Sequence, residues 1–93
     1  MEIKKGKNRF YIGDDENNPI ARITWKNGGE NIIVIDHTIV DLTLRGQGIA
    51  GKLLAKVVEM AREENLKIIP VCSYAVVKLN RNDEYKDVLY DKE

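Results

Sequence analysis

Eight consecutive residues, Arg45-Gly46-Gln47-Gly48-Ile49-Ala50-Gly51-Lys52, concentrate the chemistry of this chain of 93 residues. They stand between a β-type run and the start of a long helical pattern. The first amides of a helix have no partner within it, and the helix dipole is positive there. A glycine-rich turn feeding a helix is therefore a ready-made anion site. Gly46, Gly48 and Gly51 let the backbone approach a phosphate or diphosphate closely, and Arg45 and Lys52 add charge-assisted bonds. The competing reading is an ordinary strand-to-helix turn with solvated charges. Two other residues are reactive by type. Cys72 ends an apolar run just before a helix start at Ser73, where a thiol can become nucleophilic; the alternative is an inert cysteine acting as a small hydrophobe. His37 lies within a strand between Asp36 and Thr38. Imidazole suits proton transfer near neutral pH, although a strand histidine bonded to a neighbour has the same surroundings.

The elements that must position these residues are legible from periodicity. Asn8 to Ile12 reads as a short strand, followed by the polar turn Gly13 to Asn18. Pro19 to Lys26 alternates, with Ile20, Arg22, Thr24 and Lys26 on one face and Ala21, Ile23 and Trp25 on the other. Asn27-Gly28-Gly29 signals a hairpin. Asn31 to Leu44 is a long Ile, Val and Thr run with an expected bend or bulge at His37-Thr38. From Gln47 the period becomes helical: Ile49, Leu53, Leu54, Val57, Val58 and Ala61 form one apolar stripe. Asn65 is suited to the left-handed conformation that ends a helix. Lys67 to Cys72 reads as a buried strand, and Pro70 within it requires that one side be unpaired. Tyr74 to Leu79 reads as a turn or two of helix, and Asp83 to Tyr90 as a short terminal helix. Phe10 and Trp25 read as core. An antiparallel meander followed by one β-α-β unit predicts an α+β fold with a mixed sheet and one main helix.

Bulk properties narrow the classes. Fifteen Lys and Arg balance fifteen Asp and Glu, which argues against a dedicated nucleic-acid binder. One cysteine and one histidine allow neither an internal disulfide nor a structural zinc site, so no metal is expected. No segment reads as a signal peptide or a membrane span. The expectation is a single domain over residues 1–93, soluble and cytoplasmic, with monomer as the default state.

Gly46-x-Gly48-x-x-Gly51 also satisfies the dinucleotide fingerprint G-x-G-x-x-G. That fingerprint needs a doubly wound parallel sheet and an acidic residue ending the next strand. Here an antiparallel meander precedes it, and the next strand ends in Val71-Cys72. The template Arg/Gln-x-x-Gly-x-Gly/Ala fits better, through Arg45-Gly46-Gln47-Gly48-Ile49-Ala50. This resembles the coenzyme A pyrophosphate loop of the GCN5-related N-acetyltransferase (GNAT) superfamily. With Asp36-His37-Thr38 upstream and Ile69-Pro70-x-Cys72-Ser73-Tyr74 downstream, the resemblance is strongest to its small, single-domain YjdJ-type members and covers most of the chain. The superfamily often carries proline at the position of Leu42, where this chain departs.

The resemblance implies a minimal GNAT fold with a splayed sheet, in which the pantetheine arm lies between two parting parallel strands and Pro70 is tolerated. It implies acetyl-coenzyme A as cofactor, the diphosphate on Gln47 to Lys52, the thioester near Leu42 and Cys72, and further contacts from Tyr74 and Asn82. Tyr85 lies in the same region. The implied activity is acetyl transfer to an amine, possibly a protein lysine. Backbone N–H groups near Leu42 would steady the oxyanion, and Tyr74 either donates to the departing thiolate or simply packs on the core, the commoner role of such a residue. Transfer is either direct, with His37 as base, or through an acetylated Cys72. The glutamate base of many larger relatives has no clear counterpart here. A non-catalytic acetyl-coenzyme A sensor or carrier is the alternative, because so short a chain has few residues for an acceptor wall.

Overall fold

The computed structural model describes residues 2–81 and 83–90. In chain order it comprises β1 (Lys4–Gly6), β2 (Arg9–Ile12), β3 (Ala21–Gly29), β4 (Ile32–Val40), a 3-10 turn (Leu42–Leu44), α1 (Ile49–Glu64), β5 (Lys67–Pro70), α2 (Ser73–Arg81) and a second 3-10 turn (Asp83–Tyr85). The five strands form one sheet in chain order. β1 to β4 are antiparallel, and β5 joins β4 in parallel after the α1 crossover. The fold is α+β with a mixed sheet, as the patterning predicts.

Alternation along β3 puts Ala21, Ile23 and Trp25 into the core, where Phe10 and Ile12 of β2 and Ile33 and Ile35 of β4 join them. Phe10 and Trp25 pack with ring centroids 5.4 Å apart. Helix α1 covers this face with Leu53, Leu54, Val57, Val58 and Ala61. Asn65 ends it at φ 57°, ψ 44°, and its N–H bonds to the Ala61 carbonyl. α2 lies on the same side and is anchored by Ala75 and by Leu79, which is fully buried. The other sheet face carries Arg9, Tyr11, Arg22, Thr24, His37 and Ile39, half-buried to exposed.

Three local readings change in the structure. β1 is an additional edge strand, too short and too rich in lysine to show a period. The long run from Asn31 does not stay extended to Leu44, because Asp41 caps a 3-10 turn. Its Oδ1 accepts from the Thr43 N–H and hydroxyl, both at 2.9 Å. The segment Asp83 to Tyr90 is not a helix beyond Asp83–Tyr85, since Val88 turns into the core and Leu89 bridges to Ile68 instead.

Arg62 of α1 clamps that segment. Its Nε reaches Asp87 Oδ2 at 2.9 Å, and its Nη2 reaches Asp87 Oδ1 at 3.1 Å and the Glu84 carbonyl at 2.7 Å. The hydrogen bond from Arg62 holds the Asp87 carboxyl below its ordinary value of 3.8. A depressed folded pKa contributes stability that is present above the unfolded value and is lost as pH falls through the folded one. The stability difference between the protein and Asp87→Asn is therefore expected to be full at neutral pH and to shrink below pH 3.8. Urea unfolding at a series of pH values reads this. A difference independent of pH would show that the clamp acts only through its neutral contacts.

Leu79 is the main apolar anchor of α2, at 0% exposure. Leu79→Ala is expected to cost about 2–5 kcal/mol, a large part of the ~5–15 kcal/mol typical of a domain. A loss well under 1 kcal/mol in denaturant titration would mean that α2 is only loosely docked.

Candidate functional site

The site begins where β4 and β5 part. Their pairing runs from Ile32/Lys67 to Ile35/Pro70 and stops. At that point β4 bulges: Thr24 faces His37 and Trp25 faces Ile35, leaving Asp36 as the extra residue. The bulge lies one residue before the expected His37-Thr38. The Ile35 carbonyl accepts from both Val71 N–H (2.9 Å) and Cys72 N–H (3.2 Å), which closes the parallel ladder. Pro70 turns its nitrogen to the same side as Ile68, whose N–H bonds to the Val88 carbonyl, so the N–H it lacks lies on the edge of β5 away from β4; edge position, not the parting of the strands, accommodates it.

Beyond the bulge, β4 continues to Val40 with no partner on the β5 side. Successive residues of an antiparallel strand present N–H and C=O to alternate sides. The Asp41 N–H bonds back to the Ile20 carbonyl at 2.8 Å, on the β3 side. Thr38 and Val40 therefore turn their peptide groups toward the open gap.

At the far end of the gap lies the glycine-rich loop. Leu44 and Ile49, both buried, pin it at either end. Gly46 (φ 85°) and Gly48 (φ 70°) take the left-handed conformation, and a Cβ on either would meet no atom within 4 Å. The first intrahelical bond of α1 is Lys52 N–H to the Gly48 carbonyl. The amides of Ile49, Ala50 and Gly51 thus have no partner within the helix, no side chain among the described residues caps them, and the first turn holds no acidic residue. A groove of about 410 Å³ opens beside them, lined by Val40, Arg45, Gly46, Gly48, Tyr74 and Lys78 among others. A cationic, glycine-walled groove onto free helix amides fits an anionic group of diphosphate size.

The proposed site residues divide as follows. Arg45, Gly46, Gly48, Ile49, Ala50, Gly51 and Tyr74 line the groove. Gln47 and Lys52 are exposed on the same loop and helix turn but are not among the lining residues. Gly51 is an ordinary helical residue. A Cβ there would be in ordinary contact with the Tyr74 hydroxyl at 3.5 Å, so nothing at this position requires glycine. Leu42 is 73% exposed on the 3-10 turn, and Thr38 rather than Leu42 faces Cys72: Thr38 Oγ1 and Cys72 Sγ are 3.3 Å apart across the gap. Cys72 Sγ also accepts from the Ala75 N–H at 3.4 Å. His37 is set apart from both, because its register opposite Thr24 puts it on the helix-free sheet face. Asn82 lies outside the described residues.

Burial pushes the Tyr74 hydroxyl pKa above its ordinary value, with smaller contributions from Tyr85 and Cys72, so this phenol remains a hydrogen-bond donor at neutral pH. Lys78 is a groove residue that the sequence reading did not single out. It lies one helical turn after Tyr74, its ammonium 6.0 Å from that ring. The i, i+4 spacing from Tyr74 was the available signal.

An open mixed sheet that splays beside a glycine-rich helix start defines the class of fold, and the comparisons identify it. The family pattern described as GCN5-related N-acetyl-transferase matches residues 9–88. The chain belongs to the GCN5-related N-acetyltransferase family. It is similar to a GCN5-like protein from Staphylococcus aureus solved by NMR, at 55% identity and TM-score 0.82, covering 99% of this chain and 90% of that one. It shares its fold with a GNAT family acetyltransferase from Elizabethkingia anophelis with acetyl-CoA bound (19% identity, TM-score 0.57, 78% of this chain and 50% of that one). The ribosomal-protein-alanine N-acetyltransferase from Brucella melitensis is likewise similar in fold (16% identity, TM-score 0.56, 91% and 64%). This chain thus spans between half and two thirds of those two proteins.

Proposed function

We propose that this protein binds acetyl-coenzyme A in the splayed gap and transfers the acetyl group to an amine without an intermediate on the protein. The observation that carries the reading is the uncapped, acid-free start of α1 beside two left-handed glycines that leave their Cβ space open. That arrangement leaves donors for a diphosphate and no side chain to satisfy them. Arg45 and Lys78 add charge at the groove, and Lys52 stands one helix turn along.

When bound, acetyl-coenzyme A supplies a thioester whose carbonyl carbon the acceptor amine attacks, with the coenzyme's thiol leaving. The N–H groups of Thr38 and Val40 are the donors available to the carbonyl oxygen as it gains charge. Tyr74, which keeps its proton, is the donor for the leaving sulfur. His37 is exposed on the helix-free face next to the bulge where the gap begins, and takes the proton from an amine that enters the gap from that face. Among the described residues His37 and Cys72 are not hydrogen-bonded to each other, which favours the direct route over an acetylated Cys72 that would need a base at hand.

The test is an amide-resolved NMR titration with acetyl-coenzyme A, with NAD as control, followed by turnover of lysine peptides and free amines. Saturable shifts at Arg45 to Lys52 extending to Thr38 and Cys72, with turnover above background, are expected. Absence of those shifts would overturn the binding reading. Binding without turnover would leave a sensor or carrier.

A further inference from the structure

Charge on this neutral chain is unevenly placed. The register from β1 to β4 puts Lys4, Arg9, Arg22 and Lys26 on the helix-free sheet face with His37. Two acids lie near them, and Asp36 keeps its negative charge at the edge of this surface. Asp36 Oδ1 accepts the Thr24 hydroxyl at 2.6 Å, and Glu16 pairs with Arg9 at 3.8 Å. The Arg22 guanidinium, half-buried in the middle of this face, makes no hydrogen bond or ion pair among the described residues. It borders a depression of about 470 Å³ that also includes Arg9, Thr24, Asp36 and His37. Thr24 faces His37 on one side and Arg9 on the other, so these three form a row across the strands, and Arg22 is one step along β3. A guanidinium with five donors and no partner, beside the imidazole that receives the amine, is arranged for a carboxylate carried close to that amine.

We propose that this face selects the acceptor, and that the acceptor is an acidic peptide segment. Its target amine sits at His37 and a neighbouring carboxylate sits on Arg22. The proposal rests on the acetyl-transfer reading above. A peptide fits the spacing better than a small metabolite does. Arg22 and Lys26 alone are separated by about 13 Å along β3, and Lys4 adds a charge two strands away on the same face. One small carboxylate cannot meet charges so far apart, whereas an extended acidic segment can. Lys7, at the rim of the depression, adds to the same sign.

Lysine peptides flanked by aspartate and glutamate are compared with peptides flanked by lysine or by alanine, with free glutamate as a separate arm. Two readouts are used: acetylation measured by mass spectrometry, and NMR shifts of the protein without acetyl-coenzyme A. The expected result is a kcat/KM for acidic flanks on the order of tenfold above basic flanks, as one charged hydrogen bond would supply. Arg22→Gln collapses the preference while leaving the affinity for acetyl-coenzyme A unchanged. Equal turnover of all flanks, or a preference that survives in Arg22→Gln, would overturn the proposal. If no peptide is acetylated, the transfer reading fails by itself. The surface is then judged by shifts at Arg22, Thr24 and His37 with the acidic peptide, and their absence sinks it. Equal shifts from free glutamate at the same concentration would assign the site to a small anion and overturn the peptide.

Discussion

Gly48→Asp is expected to leave the protein folded while lowering its affinity for acetyl-coenzyme A by on the order of 100-fold or more, since a like charge set against a bound charge costs several kcal/mol. The choice of residue separates binding from folding. Gly48 is the N-cap of α1 at φ 70°, ψ 21°. Aspartate and asparagine tolerate that conformation better than other L residues, at a cost of about 1–2 kcal/mol at most. A carboxylate at a helix start recovers about 0.3–1 kcal/mol from the dipole. The melting temperature should therefore barely move. A Cβ at this position meets nothing within 4 Å, so the carboxylate projects into the space that the diphosphate needs. Gly48→Asn is the neutral control and should weaken binding far less. Isothermal titration of the three proteins decides the matter. Equal affinity for the aspartate and asparagine variants would mean that no anion sits at this loop.

On the direct-transfer reading, loss of His37 should have as large an effect. His37→Gln is expected to lower kcat for an amine acceptor by about 100-fold or more, within the range typical of general-base removal. The affinity for acetyl-coenzyme A should stay unchanged, because His37 is on the sheet face away from the groove. Cys72→Ala is the companion measurement. Its sulfur contacts Thr38 and the Ala75 amide, and losing those contacts should cost stability more than rate. If direct transfer holds, Cys72→Ala keeps most of its activity and His37→Gln does not. The reverse result, together with an acetyl group found on Cys72 by mass spectrometry, would establish the covalent route and remove His37 from the chemistry.

The local chemistry of the anion loop was legible in the order of residues. Glycines at 46 and 48 before an apolar stripe announce a turn and a helix start, and both adopt positive φ. The stripe from Ile49 to Ala61 is buried as its period requires, and Asn65 takes the left-handed cap. The third glycine illustrates the limit. Gly51 reads as part of the phosphate motif, but its nearest neighbour is the Tyr74 hydroxyl, brought there by the docking of α2 on β4 and β5. The terminal segment failed for a related reason. Asp83 to Tyr90 has helical composition, but Val88 and Leu89 gain more by joining the core and bridging to Ile68 than by continuing a helix. Local propensity is worth tenths of a kcal/mol per residue, and burial of one aliphatic side chain outweighs it.

Sequence by itself determined the central strands, the main helix, the glycine-rich loop and the family, because helix starts, alternation and left-handed caps depend on neighbours within a few residues. Only the tertiary structure decided which face each reactive side chain serves. One extra residue at Asp36 shifts the register of β4. It ends the pairing with β5 at Pro70 and leaves Thr38 toward Cys72 while His37 faces the other way. In a strand, adjacent residues point to opposite sides and a bulge resets the count. The two reactive residues, His37 and Cys72, are thereby assigned to opposite sides of one sheet.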